Sequence, residues 1–493
     1  MLQKELAQHY VLEIAARATT VQNRCTRLLD EEFFSTAPPI FARTIQRMCA
    51  YLSKATLAIY DDIDWSLPAE DIDDDLRILQ NTDQIIKILN QQLRYVEAAR
   101  TERLPWSIVA SFEKLVAAFL PNIQIMLRAM WQYNYAFHML DQGQVFRRYL
   151  AGYHAYVPDM ELERDVFQEM NRPFHIISFP SLEQKHILLH CLLGHEIGHL
   201  LVTEFLTKER EAALIDALKS EISKLADEDL QQLPDSLEEE ARRAVKEALI
   251  GRKLEEALFF WRRALEELLS DSAGVLLFGP AALFSTLDLA MQTSLDVVPS
   301  ADTDYYPPWR MRLRHGLELL DHQGGWFPIP DDLFKGDTER ARRVNDRVSL
   351  IRDLAAKQSD RFEISKSRLA HLVYREVAAM VSAGNLFLTN TKGLGHQQAT
   401  AVELYPRLPS LIERLDYNIP PNAIEDAIDP EQIATFAEIL NAAWFKKLSL
   451  PSFDPVTGQF DPVGVETRNL MNNLTLKAIE FAHLATEYAE WKP

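Results

Sequence analysis

Two histidines four residues apart, with a glutamate directly after the first, stand in the stretch CLLGHEIGHLLV from Cys191 to Val202. On an α-helix His195 and His199 lie one turn apart on the same face, so both imidazoles can bind one metal ion. The side chain of Glu196 is rotated by about 100° from that of His195, which leaves its carboxylate near the metal without making it a ligand. That position suits a general base. The His-Glu-x-x-His spacing therefore predicts a zinc site that activates water.

A buried amphipathic helix is the alternative interpretation of this stretch. Leucine, isoleucine and valine surround the motif, and burying two histidines and a glutamate without partners costs several kcal/mol. Gly198 costs about 1 kcal/mol relative to alanine inside a helix, and its lack of a side chain would allow another element to approach closely. Taken by itself, the helix leaves metal binding and core packing both open.

A third metal ligand is needed, because a zinc hydrolase uses three protein ligands and an open position for water. No histidine follows within ten residues of His199, but ALEELLSDSAG supplies Glu267 and, four residues later, Asp271. This spacing places both carboxylates on one helix face, so Glu267 can bind the metal while Asp271 orients a ligand histidine through its other ring nitrogen. Glu266 is the competitor, but Ser270 follows it at that spacing instead of an acid. The pattern favours Glu267 as the third ligand.

The combination of HExxH with a later ExxxD and a small residue, in ELLSDSAG ending at Gly274, resembles the gluzincin metallopeptidases of the CAAX-prenyl-protease and HtpX type. That family carries a further His-Pro-Pro-x-x-x-Arg motif. YPPWRMR (306–312) is similar, with Tyr306 at the histidine position and Arg312 at the arginine position. The resemblance implies that these two residues stabilise the transition state and order the active site. A tyrosine can donate a hydrogen bond to an oxyanion.

The resemblance covers roughly residues 172–320. Within it, the sequence differs from the family's motif at Tyr306, which replaces the histidine. Tyr305 or His315 could donate to the oxyanion instead. The best-known members of the family also possess transmembrane helices, which this sequence does not predict. The resemblance therefore implies a relative without membrane spans, with helical domains on either side of its zincin-like core.

A strand and a helix are expected directly before the motif. The run RPFHIISFPS (172–181) is apolar, favours β-structure and is bounded by prolines, so it is the best strand candidate in the chain. The resemblance implies an edge strand here, which could bind an extended peptide by β-augmentation. Ser181 and Gln184 then form a capping-box pattern. A helix is therefore predicted from about Leu182 to Thr207.

The remaining elements predict a mainly α-helical fold, since only 16 of 493 residues are glycine and apolar residues recur mostly at i, i+3 and i+4. We expect an N-terminal helical domain over 1–171, a zincin-like metallopeptidase core with a small β element over 172–325, and a C-terminal helical domain over 326–493. A charged helical insertion at about 208–252 is predicted to form two exposed helices hinged near Leu233.

Composition excludes several classes of function. The formal net charge of −20 argues against sequence-independent binding of nucleic acid and disfavours adhesion to an anionic membrane surface. The longest uncharged apolar candidate, GVLLFGPAALF, has 11 residues, well short of the roughly 18 of a membrane span. The three cysteines are far apart and form no CxxC pair, which suits a reducing cytoplasm. A cytoplasmic protein is therefore predicted.

Together these patterns predict a zinc-dependent endopeptidase that acts on a protein or peptide, with one zinc ion per chain held by His195, His199 and Glu267. The alternative is a non-catalytic helical interaction protein with a structural or vestigial metal site. The large helical flanks favour that alternative and could bind a regulatory protein partner. Glu196 favours catalysis, because a structural site does not need its carboxylate. A hydrolase acting on a small amide is a third option, and the substrate and the oligomeric state are left open.

Overall fold

Helices dominate the fold, as predicted, and the described part of the chain contains one small sheet. A computed structural model describes residues 2–68, 72–138, 140–157, 162–231, 238–291, 295, 307–356, 368–394, 399–425, 429, 431–451 and 462–491. The chain divides into two compact units, Met1–Gln184 and Lys185–Pro493. The predicted division into three domains stays a prediction. Among the described residues, no helix has both the length and the apolar character that crossing a bilayer requires.

The first unit is built on long amphipathic helices. They are α1 (Leu2–Leu29), α2 (Ala37–Asp62), α3 (Asp73–Glu97) and α4 (Trp106–Phe119), followed by the shorter α5 (Gln142–Leu150), a 3-10 turn (Ala151–Tyr153) and α6 (Leu162–Asp165). Along α1 the buried residues Val11, Ile14 and Ala18 recur every three or four positions. This stripe packs against α2 and α3.

The sheet of the first unit contains β1 (Gln124–Met130), β2 (Ala136–His138) and β3 (Phe174–Pro180) in the order β1-β3-β2. β1 runs parallel to β3 and β2 antiparallel to it. The predicted strand is therefore confirmed, but its prediction as an edge strand is wrong, because both of its edges are paired. Every residue of β3 is buried, and burial on both faces suits a central strand.

The segment that leads from β3 into the second unit differs from the sequence prediction. Instead of one helix from Leu182 to Thr207, Ser181–Glu183 and Ile187–Cys191 form 3-10 turns, and α7 spans only Leu192–Val202. Pro180, and not Ser181, occupies the N-cap position of the first turn, and no side chain caps that turn. The backbone of His186 is non-helical, with φ −88° and ψ 69°, and it separates the two turns.

Two helices follow, as predicted for the charged insertion, although Leu233 lies outside the described residues. α8 spans Lys208–Leu230 and α9 spans Glu239–Phe278. The second of these does not end with the insertion but continues as one helix of 40 residues, in which every residue from Ala264 to Phe278 is buried. It ends at Gly279, whose φ of +57° is a conformation that glycine adopts readily.

The rest of the second unit encloses α7 and the buried half of α9. It contains α10 (Pro280–Ala290), α11 (Trp309–His322), a 3-10 turn (Asp331–Phe334), α12 (Thr338–Ala356), α13 (Arg368–Leu386), a π-helical turn (Phe387–Thr391), α14 (Ala401–Leu404), α15 (Leu408–Asp416), α16 (Phe436–Ser449) and α17 (Pro462–Trp491). The Leu188 carbonyl, just before α7, accepts hydrogen bonds from the Ser285 hydroxyl at 2.7 Å and the Trp444 indole at 3.3 Å. Residues on both sides of the predicted boundary near 326 thus fix the start of α7.

Candidate metal centre

α7 and α9 approach closely because glycines line their contact. A Cβ atom on Gly198 would lie 2.6 Å from the Cα of Ser270, and one on Gly194 would lie 2.7 Å from the ring of Phe278. Both distances are too short for real Cβ atoms, so only glycine fits without movement. The close approach predicted for Gly198 is therefore confirmed. It brings the polar residues of α9 within reach of the two histidines of α7.

Three side chains converge at this contact. The Nε2 atoms of His195 and His199 lie 3.2 Å apart. Glu267 places Oε2 at 3.4 Å from His195 Nε2 and Oε1 at 3.8 Å from His199 Nε2. One ligand atom from each of the three residues lies within 4.8 Å of the others. Two imidazole nitrogens and one carboxylate oxygen form a donor set that could hold a metal ion.

The Nδ1 side of His195, opposite the Nε2 atom that faces His199 and Glu267, contacts a carboxylate that is held by a guanidinium group. Its Nδ1 lies 2.8 Å from Asp271 Oδ1. Arg312 donates from Nε to Asp271 Oδ2 and from Nη2 to Asp271 Oδ1, both at 2.7 Å. Its Nη1 also lies 3.4 Å from Glu267 Oε2. The structure thus places Asp271 where the sequence predicted a partner for a ligand histidine, and Arg312 directly against it.

His199 has a carboxylate partner that the sequence reasoning missed. Its Nδ1 lies 2.8 Å from Glu266 Oε1, and Arg263 Nη1 lies 3.3 Å from the other oxygen of Glu266. From the sequence, Glu266 is only a competing ligand. The role of Glu266 could have been inferred from Arg263, which lies three residues earlier on the same helix and can pair with it. The surrounding run is too apolar for a solvated face. Each ligand histidine therefore has one outer carboxylate, which fixes its tautomer and orientation.

The local charges suit a divalent cation. Four buried carboxylates and two guanidinium groups meet around the histidines: Glu196, Glu266, Glu267, Asp271, Arg263 and Arg312. When both histidines are neutral, as metal ligands must be, ionised Glu266, Glu267 and Asp271 exceed the two guanidinium groups by one negative charge. Glu196 adds a second when it is ionised. Because buried unpaired charge is costly, a bound dication would stabilise this arrangement. The residues present therefore fit a divalent metal.

Burial and charge act against each other on these groups. Burial disfavours ionisation of Glu267, but the hydrogen bond and charge of His195 and the charge of Arg312 outweigh it and lower the Glu267 pKa to about 2. Burial likewise opposes ionisation of Asp271, and Arg312 holds its pKa well below the usual range. Burial raises the pKa of Glu196, only partly offset by the two histidines. The carboxylate of Glu267 is thus ionised. Of the three carboxylates, that of Glu196 is the most basic.

Three further residues are named from the sequence as possible donors to the oxyanion: Tyr305, Tyr306 and His315. Tyr306 and its alternative Tyr305 lie outside the described residues, so Tyr306 as a donor to the oxyanion stays a prediction. His315 places its Nε2 at 2.6 Å from the hydroxyl of Ser272. Burial lowers the pKa of His315. Its contact is therefore with the side chain of Ser272, the residue after Asp271 on α9.

Metal affinity is expected to rise with pH, by about tenfold per pH unit below the pKa of His195. Burial lowers this pKa, but the hydrogen bond and charge of Asp271 and the nearby Glu267 outweigh burial and raise it to about 10 in the metal-free protein. Binding must displace that proton, so more alkaline solution favours the metal complex. Competition with a chromophoric chelator across neutral to alkaline pH measures the slope. An affinity independent of pH would contradict the prediction.

Comparison of the chain with protein-family models, with curated proteins and with solved structures gave no match. The chemistry of the site is therefore inferred from its own residues and their geometry.

Proposed function

We propose that this protein is a zinc-dependent endopeptidase of the gluzincin kind, in which His195, His199 and Glu267 hold one zinc ion. The observation that carries the proposal is the buried cluster of these three ligands with Glu196, 5% exposed, on the same helix. Two histidines and one glutamate are a donor set of catalytic zinc sites, which keep a position open for water. Magnesium and calcium prefer sites made of oxygen ligands.

Each residue then has a separate task in hydrolysis. Bound zinc supplies a Lewis acid that polarises the scissile carbonyl and makes water more acidic. Glu196 takes a proton from the attacking water as the new C–O bond forms, and it passes that proton to the leaving nitrogen as the C–N bond breaks. Its raised pKa, caused by burial, favours the first of these transfers. The products are a carboxylic acid and an amine.

The outer residues keep the ligands in position. Asp271 accepts from the Nδ1–H of His195 and so directs Nε2 toward the metal position. Arg312 holds both oxygens of Asp271, which supports a role in ordering the site. Tyr306 is the proposed donor to the oxyanion that develops on the carbonyl.

The alternative is a non-catalytic interaction protein with a structural metal. It would use the same three ligands but has no use for a buried, basic carboxylate beside them, and Glu196 is costly to keep there. Peptidase activity therefore accounts for more of the site. A protein or peptide substrate, a cytoplasmic location and a regulatory partner on the helical flanks belong to the proposal.

Metal analysis and one variant test this function. The purified protein is expected to contain about one zinc per chain. Incubated with a cell lysate, it should generate new protein N-termini, detected by N-terminal labelling and mass spectrometry. The Glu196→Gln variant should keep the metal and lose these products, since a general base contributes roughly 10²- to 10⁴-fold to rate.

Three results would overturn the proposal. A protein that purifies without metal and cannot be loaded has no catalytic zinc site. New N-termini that persist with Glu196→Gln, or with a chelator present, would show that a contaminating protease made them. Full metal content without any cleavage, in both proteins, would favour the structural alternative.

A further inference from the structure

A cluster of arginines lies in the first unit. Arg24 and Arg27 on α1, with Arg100 and Arg103 in the segment after α3, line a cavity of about 280 Å³. We call this cavity the arginine pocket; Leu28, Glu31 and Glu97 complete its lining. Four guanidinium groups around one small cavity are unexpected in a chain with a net charge of −20.

Two of the four arginines are fixed by hydrogen bonds. Arg24 donates to Glu97 Oε1 from Nε at 3.1 Å and from Nη2 at 2.7 Å. Its Nη1 donates to the carbonyl and the side-chain oxygen of Asn90 at 3.0 and 2.8 Å. Arg100 contacts Glu31 Oε1 at 3.3 Å and the Glu97 carbonyl at 3.3 Å. These guanidinium groups are therefore held in place before any ligand arrives.

The other two arginines supply uncompensated charge. Arg27 and Arg103 are exposed, and neither has an ion pair within the part of the chain that the structure describes. Four positive charges face Glu31 and Glu97 in the lining and Glu102, which lies 4.0 Å from Arg100 beside it. An excess of one positive charge is left. Because like charges around one cavity repel one another, a bound anion would stabilise the pocket.

We propose that the arginine pocket binds a phosphate group carried by a phosphoserine or phosphothreonine side chain of a peptide. A phosphate monoester has a charge near −2 and three acceptor oxygens, and guanidinium groups bind it through paired hydrogen bonds. The cavity is at the lower end of the roughly 300–1,000 Å³ of ligand pockets. It therefore suits one phosphorylated side chain, while the rest of the peptide lies outside the cavity.

The charge of the whole protein decides which carrier fits. A net charge of −20 opposes the approach of polyanions such as nucleic acids and anionic membranes. Fields in solution are screened beyond about 8 Å at physiological salt, so a single phosphate on a neutral or basic peptide is attracted locally without that penalty. A phosphorylated peptide is thus the carrier favoured both by the net charge of the protein and by the local charge of the pocket.

Fluorescence anisotropy with the full-length protein tests the proposal. The probe is a labelled glycine–serine heptapeptide with one central phosphoserine, compared with its unphosphorylated twin. Only the phosphorylated peptide should bind, and Arg27→Gln combined with Arg103→Gln should weaken it by about tenfold or more, since each hydrogen bond to a charged group is lost. Arg148→Gln, an exposed arginine outside the pocket, is the matched control and should bind like the wild type.

Several outcomes would overturn the proposal. These are equal binding of the two peptides, equal weakening by Arg148→Gln, or displacement of the peptide by inorganic phosphate at the same concentration as by the peptide itself. Binding only to vesicles with phosphoinositide headgroups would assign the pocket to lipid instead. Glu196→Gln should leave peptide binding unchanged, so failure here and failure of the proposed peptidase activity are distinguishable.

Discussion

Replacing Glu267 by glutamine is expected to lower metal affinity by more than about 100-fold, beyond the 10- to 100-fold typical of outer-shell changes. Glutamine keeps the volume but removes the negative charge that lies 3.4 Å from His195 Nε2. It also leaves Arg312 with one acidic neighbour fewer. Titration against a chromophoric chelator gives the affinity, and circular dichroism checks that the helices remain.

Three companion variants make this result specific. Glu266→Gln and Asp271→Asn should each cost about 10- to 100-fold, because each orients a histidine without binding the metal. Glu255→Gln, an exposed acid on the same helix, should cost nothing. If Glu266→Gln weakens the metal more than Glu267→Gln does, the ligand assignment is wrong.

Replacing Gly198 by alanine is expected to lower the free energy of unfolding by about 1–3 kcal/mol, the usual cost of overpacking. The added methyl group would lie 2.6 Å from the Cα of Ser270 and 2.9 Å from its carbonyl oxygen. Since backbone atoms cannot rotate away, α7 and α9 must move apart. The movement separates the histidines from the carboxylates of α9, so metal affinity should fall as well. Urea unfolding measures the stability change.

Gly251→Ala is the control for this variant. Gly251 lies in the exposed half of α9, and a Cβ atom there would meet nothing within 4 Å. Alanine should therefore stabilise the helix by roughly 0.5–1 kcal/mol. Equal stability of Gly198→Ala and the wild type would contradict the close packing of the two helices.

The helical content and the centre of the site could be predicted because both depend on local spacing. Apolar residues at i, i+3 and i+4 indicate helices whatever their neighbours are. His195 and His199 share a face for the same reason, as do Glu267 and Asp271. The two faces can meet because of Gly194 and Gly198. The spacing of these glycines is visible in the sequence, but the helix that packs against them is not.

The incorrect predictions involve tertiary contacts. The capping-box pattern at Ser181 is local, but the start of α7 is fixed by distant residues that donate to the Leu188 carbonyl. β3 was predicted as an edge strand, yet its partners lie in segments with weaker β patterns. Glu266 was missed because its role depends on which side of α9 faces His199. None of these contacts can be recognised from the local sequence of a single helix or strand.

The length of α9 gives this helix two different local stabilities. Its 40 residues span about 60 Å at 1.5 Å per residue. The first half is held to α8 by ion pairs such as Lys246–Asp227 and Lys253–Asp229, and these weaken as salt rises. The helix is buried from Ala264 onward, in the stretch that contains Glu267. Amide hydrogens at the exposed end should therefore open to exchange at a small cost in free energy, while those near the metal ligands open only with the core. The exposed end can fray without releasing the ligands.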